Sequence, residues 1–102
     1  MLALKPNCEN CDRDLPADSP DACICSYECT FCRTCVDHVL KNVCPNCGGG
    51  FVSRPFRPKQ AWRDGVSLLY QPAAGERTLK PVDALEHKAF SEKIVTLSPE
   101  SR

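Results

Sequence analysis

The chain carries in its first half the stretch Ala22-Cys-Ile-Cys-Ser-Tyr-Glu-Cys-Thr-Phe-Cys-Arg-Thr-Cys35. It places five of the nine cysteines of the 102-residue chain within 14 residues. One further pair precedes it, Cys8-x2-Cys11, one follows it, Cys44-x2-Cys47, and no cysteine lies outside residues 8–47. A chain of this length buries only a modest apolar core, so the chemistry of these thiols decides the fold.

The number and context of the cysteines favour metal binding over disulfide bonds. A secreted disulfide scaffold normally has an export signal and an even number of cysteines, whereas this chain has nine and begins without a signal-like apolar run. It also lacks a run of about 18 apolar residues, the length that a transmembrane helix needs. We therefore expect a cytoplasmic protein whose reduced thiols bind metal ions.

The spacing of the cysteines predicts two zinc ions. Two residues between cysteines form a tight turn that directs both sulfurs at one ion, and a structural zinc takes four thiolates at about 2.3 Å. Nine cysteines thus supply two sites with one thiol left over. The predicted ligands are Cys8, Cys11, Cys25, Cys29, Cys32, Cys35, Cys44 and Cys47.

The identity of the spare cysteine rests on a choice between two assignments. One assignment omits Cys35, and the other omits Cys23. The apolar residues Phe31 and Val36 frame the turn that runs from Cys32 to Cys35, as expected for a pair of ligands. This framing favours Cys23 as the spare thiol.

Two pairings of the eight ligands between the ions are open. A consecutive arrangement places the first four ligands of the chain on one ion and the last four on the other. An interleaved arrangement has one set with Cys8, Cys11, Cys32 and Cys35 and another with Cys25, Cys29, Cys44 and Cys47. The 20 residues between Cys11 and Cys32 match the common gap between zinc-binding pairs, which favours interleaving.

Secondary structure in the cysteine-rich half is expected to be sparse. Residues 22–31 are predicted to form a short hairpin. A short helix is predicted from Cys35 to Lys41, with Thr34 as its N-cap and apolar residues on one face. The predicted fold class is a small metal-stabilised α+β module.

The composition of the chain changes near residue 50. Residues 1–50 carry four basic and seven acidic side chains, whereas residues 51–102 carry nine and six. We predict a zinc-binding domain at residues 1–58 and a partly ordered C-terminal extension at residues 59–102. Apolar residues at helical spacing predict one helix over residues 82–97, with a packing role.

The cysteine motifs resemble those of a RING finger. The stretch Cys29-Thr-Phe-Cys-Arg-Thr-Cys-Val36 and the later Cys44-Pro-Asn-Cys47 are similar to the second half of such a domain. Cys8-x2-Cys11 would supply its first ligand pair, and Cys29 stands where a RING finger usually has histidine. This resemblance implies a RING-like module with two zinc ions.

Residues 1–58 resemble more closely a bacterial family of small cysteine-rich proteins, domain of unknown function 1272. The residues that carry the resemblance are Leu4-Lys-Pro-Asn-Cys-Glu-Asn-Cys-Asp-Arg-Asp-Leu-Pro16, the run from Cys25 to Cys35, and Cys44-Pro-Asn-Cys-Gly-Gly-Gly-Phe-Val52. The resemblance implies a zinc-binding fold without an established activity, and it does not extend to residues 59–102.

No set of catalytic residues emerges from the sequence. Four protein ligands on each zinc leave no position for a reacting water, which is typical of structural sites. The expected function is a non-enzymatic protein-interaction module with an unidentified protein partner. We expect His38 to face solvent and Cys23 to be an inert or partly buried thiol, and no role is assigned to His87.

Three features of the sequence bear on other functions. The basic and aromatic stretch Arg54–Arg63 could bind nucleic acid, but eight thiolates and two zinc ions would leave the chain with a charge of about −4, which opposes such binding. A RING-type ubiquitin ligase usually has an apolar residue where this chain has Glu9 or Asn10. The turn Cys44-Pro-Asn-Cys47 also resembles the iron-binding turns of rubredoxins.

Overall fold

The computed structural model describes all 102 residues, and its first regular element is the predicted hairpin. Strands β1 (Ala22–Ile24) and β2 (Thr30–Cys32) pair antiparallel, with Cys23 opposite Phe31. A third strand, β3 (Val52–Ser53), pairs antiparallel with the other edge of β1, so the sheet order is β2-β1-β3. The sequence did not predict β3, because two residues are too few to show the alternation of a strand.

A short helix follows β2 without a loop. It begins as α1 (Arg33–Cys35) and continues as one π-helical turn (Val36–Leu40). The predicted N-cap, Thr34, is wrong, because Cys32, the last residue of β2, is the extended residue before the helix and no side chain caps it. The helix ends where Lys41 takes a left-handed conformation with φ of 52°.

The core between the sheet and this helix contains almost as many thiols as hydrocarbon side chains. Seven of the 15 buried apolar residues are cysteines. The others are Leu4, Leu15, Ala22, Ile24, Phe31, Val36, Leu40 and Val43. The Phe31 ring packs edge-on against Phe51, with 5.5 Å between the ring centroids. These elements confirm the predicted small α+β fold class, and the hydrocarbon part of its core is small.

The C-terminal half lies along the cysteine-rich half. Its one α-helix, α2 (Ala84–Ser91), is shorter than the predicted helix over residues 82–97. The Asp83 carboxylate caps α2 by accepting the backbone N–H groups of Leu85 and Glu86, which sets the start of the helix. Two single 3₁₀ turns follow α2, Ile94–Thr96 and Pro99–Ser101.

One close approach shows how the end of the chain packs on the cysteine-rich half. A Cβ atom on Gly50 would lie 2.9 Å from the Pro99 side chain, so only glycine permits this contact. The extension therefore has defined contacts in the structure, and the domain boundary at residue 58 stays a prediction. None of the helices has both the length and the apolar composition that a membrane span requires.

Candidate metal centre

Four thiols converge in a first cluster. The sulfur atoms of Cys8, Cys11, Cys32 and Cys35 all lie within 4.8 Å of one another. The Sγ atoms of Cys11 and Cys32 are 3.7 Å apart. Four sulfurs around a tetrahedral zinc at about 2.3 Å are separated by about 3.8 Å. These separations allow the four thiols to share one tetrahedral ion.

Two structural elements bring these four thiols together. Cys8 and Cys11 occupy a tight turn, in which the backbone N–H of Cys11 donates to the Cys8 sulfur at 3.5 Å. Cys32 is the last residue of β2 and Cys35 the last residue of α1. Because one turn of helix separates them, the junction of β2 and α1 directs both sulfurs to the same point.

A second cluster forms at the other end of the hairpin. The sulfurs of Cys25, Cys44 and Cys47 lie within 4.8 Å of one another. Cys29, the predicted fourth ligand, does not lie within that limit of all three, although the thiols of Cys25 and Cys44 both contribute to the shift of its pKa. The second cluster thus has three close thiols and a fourth beside them.

Backbone N–H groups point at the sulfurs of this second cluster. The N–H of Tyr27 donates to the Cys25 sulfur and that of Gly49 to the Cys47 sulfur, both at 3.4 Å. Gly48 has φ of 77°, a conformation that favours glycine, and it turns the chain back after Cys47. The sequence Cys-Gly-Gly therefore shapes the turn that presents the N–H of Gly49 to the Cys47 sulfur.

Burial opposes the ionisation of several of the cluster thiols in the absence of a cation. Burial raises the pKa of the Cys29, Cys35 and Cys44 thiols. Burial acts in the same direction on Cys8, but N–H groups of the surrounding turns lower its pKa by more, so the net shift is downward. A divalent cation reverses the effect of burial, because it stabilises the thiolate that coordinates it.

The structure places all eight predicted ligands in or beside the two clusters. The thiols group in the interleaved order along the chain and not in the consecutive order. Cys23 belongs to neither cluster: it is buried in β1, and burial raises the pKa of its thiol. His38 lies exposed on the π-helical turn and also belongs to neither cluster.

Two asparagines next to the clusters are missing from the predicted site. Asn10 donates its side-chain N–H to the Cys35 sulfur at 3.2 Å, and Asn46 donates to the Cys29 sulfur at 3.4 Å. Each lies directly before the second cysteine of a Cys-x-Asn-Cys turn. The repetition of this turn in the sequence is the signal that could have identified them.

His87, to which the sequence assigned no role, is a buried packing residue. It is only 4% exposed, and its Nε2 is 2.9 Å from the backbone carbonyl oxygen of Leu40 at the end of the π-helical turn. This contact holds α2 against the cysteine-rich half. No local pattern in the sequence could have indicated it, because the partners lie 47 residues apart.

Some cations of the basic stretch Arg54–Arg63 stabilise the fold through hydrogen bonds to backbone carbonyls. Arg54 is only 3% exposed, and its guanidinium donates to three backbone carbonyls, those of Lys5, Leu15 and Pro16. Arg57 likewise donates to the carbonyls of two residues distant in sequence. Two of the four cations in this stretch, Arg54 and Arg57, therefore bind backbone carbonyls and are not free to bind a ligand from solvent.

Comparison with known proteins agrees with the resemblance seen in the sequence. Residues 1–57 match the family described as protein of unknown function DUF1272, and these residues include every predicted ligand. An uncharacterized protein of Rhizobium meliloti is 51% identical over 90 residues, which represent 87% of this chain and 99% of the relative. No solved structure matches the chain. The chain therefore belongs to the DUF1272 family of cysteine-rich proteins.

Proposed function

We propose that the protein is a cytoplasmic, RING-like zinc protein with two structural sites of four cysteines each, and that it acts by binding a protein partner. The observation that carries this proposal is the first cluster, where four thiols have the mutual separation of ligands around one tetrahedral ion. The interleaved order of the two clusters supports the RING-like description.

Cys29 completes the second site in this proposal. Asn46 donates to the Cys29 sulfur in the same way that Asn10 donates to that of Cys35, and Cys35 belongs to the complete cluster. The equivalent hydrogen bond supports an equivalent role for the two cysteines. A small inward movement of Cys29 would then give the second ion its fourth thiolate.

Zinc suits both the donor set and the small core. Four thiolates in tetrahedral geometry select zinc or iron among the common metals. Structural zinc contributes about 10–16 kcal/mol of binding free energy in finger peptides, and here it would add to a core with only eight buried hydrocarbon side chains. Iron in a rubredoxin-like site would use the same thiols, and colour distinguishes the two metals.

The arrangement of the sites supports an interaction role over catalysis. Four thiolates around each ion leave no open position for a water or a substrate. A partner surface is supported by five large apolar side chains that are between 54% and 80% exposed, namely Phe56, Trp62, Val66, Leu69 and Tyr70. Exposed apolar residues concentrated in one segment are typical of protein contact sites.

Nucleic-acid binding has less support. Arg54 is buried against backbone carbonyls, and Lys59 forms an ion pair with Asp18 at 3.3 Å. The chain would also carry a charge of about −4 with both zinc ions bound, which opposes binding to a polyanion. Arg63 and Trp62 are exposed, and a steep salt dependence of binding that is lost with Arg63→Ala would revive this alternative.

Native mass spectrometry and metal analysis of the purified protein test the proposal. We expect a colourless protein with two zinc ions per chain and nine reduced thiols. A red protein with bound iron, or a chain with cystines in place of metal, would show the proposal to be wrong. The partner can then be sought with the zinc-loaded protein as bait, with Leu69→Ser as the matched variant of the exposed segment.

A further inference from the structure

We infer that Asn10 couples the first cluster to the docking segment, residues 77–91, so that metal binding and docking of this segment stabilise each other. The inference rests on the proposed function, because it takes the first cluster to be a zinc site. The Asn10 side chain contacts both the cluster and the segment: its amide group touches a thiol of the cluster and the backbone of the segment.

The carboxamide of Asn10 has each end engaged. Its Nδ2 donates to the Cys35 sulfur at 3.2 Å, and its Oδ1 accepts the backbone N–H of Val82 at 2.8 Å. The N–H of Val82 needs an acceptor, so the oxygen of the amide faces the segment and the NH₂ group faces the sulfur. The orientation of one residue therefore satisfies two groups that lie on different halves of the chain.

The turn between the first two cysteines holds the same segment through its backbone. The N–H of Lys80 donates to the carbonyl of Glu9 at 2.8 Å, and the side chain of Asn7 donates to the carbonyl of Thr78 at 2.8 Å. Both partners lie next to Cys8 in the sequence. The shape of this turn thus decides whether residues 78–80 can form their hydrogen bonds to it.

An arginine extends this contact at the start of the segment. Arg77 donates to the backbone carbonyl of Asp12 at 2.8 Å and forms ion pairs with the carboxylates of Asp12 and Asp14. These partners follow Cys11, so the segment contacts the turn on both sides of its two cysteines. Exposed ion pairs contribute little by themselves, which leaves the partly buried hydrogen bonds of Asn10 as the specific part of the contact.

Metal binding strengthens the contact between the turn that contains Asn10 and the docking segment for two physical reasons. A metal-bound thiolate is a stronger acceptor than a thiol, and charge-assisted hydrogen bonds are roughly twice as strong as neutral ones. The ion also closes the turn that contains Asn10. By thermodynamic linkage, docking of the segment must raise the zinc affinity of the first cluster by the same factor.

Asn46 provides a matched control within the same chain. It occupies the same position in the second Cys-x-Asn-Cys turn, and it donates to Cys29 at 3.4 Å. Its side-chain oxygen accepts no hydrogen bond from the docking segment. Replacing Asn46 should therefore weaken a metal site without releasing the segment.

The test compares Asn10→Ala and Asn46→Ala in the full-length protein loaded with zinc. Each variant is expected to lower the affinity of one zinc site by about 10- to 100-fold, as loss of an outer-shell hydrogen bond does, measured by competition with a chromophoric chelator. Only Asn10→Ala is expected to accelerate amide hydrogen exchange at Lys80, Val82 and His87.

Asn10→Asp serves as the second variant if Asn10→Ala does not fold. It keeps an acceptor for the N–H of Val82 but removes the donor to Cys35. We expect the zinc affinity of this variant to be lower than that of wild type. We also expect amide exchange at Val82 to be slower than in a segment that is fully undocked, because the acceptor for its N–H is kept. Wild-type zinc affinity in this variant, or exchange at Val82 as fast as in an undocked segment, would count against the coupling.

Three results would overturn the inference while leaving the proposed function intact. The first is wild-type exchange at Val82 in Asn10→Ala, and the second is equal acceleration in Asn10→Ala and Asn46→Ala. The third is unchanged zinc affinity in Asn10→Ala. A wild-type protein without two zinc ions would instead refute the proposed function, so the two failures are distinguishable.

Discussion

The two cysteine clusters share one plan but differ in how complete they are. In each, a Cys-x-Asn-Cys turn faces a second pair of cysteines, and the asparagine donates to the last cysteine of that pair. In the first cluster all four sulfurs lie within 4.8 Å of one another, whereas in the second only three do. The first cluster also contacts the docking segment through Asn10, and the second has no equivalent link.

The facing pairs account for this difference. Cys32 and Cys35 are separated by two residues at the junction of a strand and a helix, so regular backbone fixes both. Cys25 and Cys29 are separated by three residues in a loop where Glu28 has φ of 67°. Regular backbone therefore fixes Cys32 and Cys35 of the first cluster, whereas in our proposal the ion draws in Cys29, the last ligand of the second.

Removal of both metal ions is expected to have the largest effect, namely unfolding of residues 1–58. Structural zinc binding supplies about 10–16 kcal/mol per site, and a typical domain has only about 5–15 kcal/mol of stability. Circular dichroism and amide chemical-shift dispersion, recorded during titration with a chelator, measure this. If the first cluster stayed ordered while the second melted, the clusters would be independent; an apo protein that kept its full structure would contradict the proposal.

Loss of a ligand from one cluster is expected to remove one ion. Native mass spectrometry should find one zinc ion in Cys25→Ser and two in Cys23→Ser, because Cys23 lies outside both clusters. Cys23→Ser is the matched control, since both residues are buried cysteines of the same hairpin region. Two zinc ions in Cys25→Ser, or one in Cys23→Ser, would mean that the spare cysteine is assigned wrongly.

Cys29 is expected to be the fourth ligand of the second cluster. Cys29→Ser is expected to weaken zinc binding at the second cluster and leave the first unchanged, because it removes one of four thiolates. Chelator competition on this variant and on wild type measures the change. An unaltered zinc affinity at the second cluster would mean that three thiolates suffice there. A zinc ion with three protein ligands has an open position of the kind found in catalytic sites.

The smallest expected effect concerns the arginines that flank each cluster. Arg54 donates to carbonyls on both sides of the first cysteine turn, and Arg102 donates to those of Asn42 and Gly48 around the second. Arg54→Ala leaves buried carbonyls without a partner and should lower the free energy of unfolding by about 1–3 kcal/mol.

Arg102→Ala is the matched comparison and should cost less, because Arg102 is half-buried whereas Arg54 is 3% exposed. Denaturant unfolding of the zinc-loaded variants measures both changes. Equal losses of stability would mean that the end of the chain holds the second cluster as firmly as Arg54 holds the first.

Local patterns were sufficient to predict part of the fold and of the candidate site. The hairpin followed from residues 22–31, and the interleaved grouping followed from the 20 residues between Cys11 and Cys32. Both depend on neighbouring residues or on gap lengths, which are visible in a single chain. The two-residue strand β3 and the N-cap at Cys32 were missed because neither has a local signature.

The contacts of the extension could not be predicted in this way. Asn10 and Val82 lie 72 residues apart, and Arg54 and Lys5 lie 49 apart. Asn10 and Arg54 are polar residues of types that are usually exposed, so composition gave no reason to bury Arg54 or to place Asn10 against a thiol. Only the path of the chain brought them next to the groups they bind.

The sequence by itself determined that thiols would form a large part of the core, and it favoured their interleaved grouping, because ligand spacing is a local property of the chain. The tertiary structure alone decided which cluster closes without help, and which residues of the extension rest on it. Those outcomes depend on whether a strand–helix junction or a loop carries the facing cysteines, and on hydrogen bonds between residues far apart in sequence.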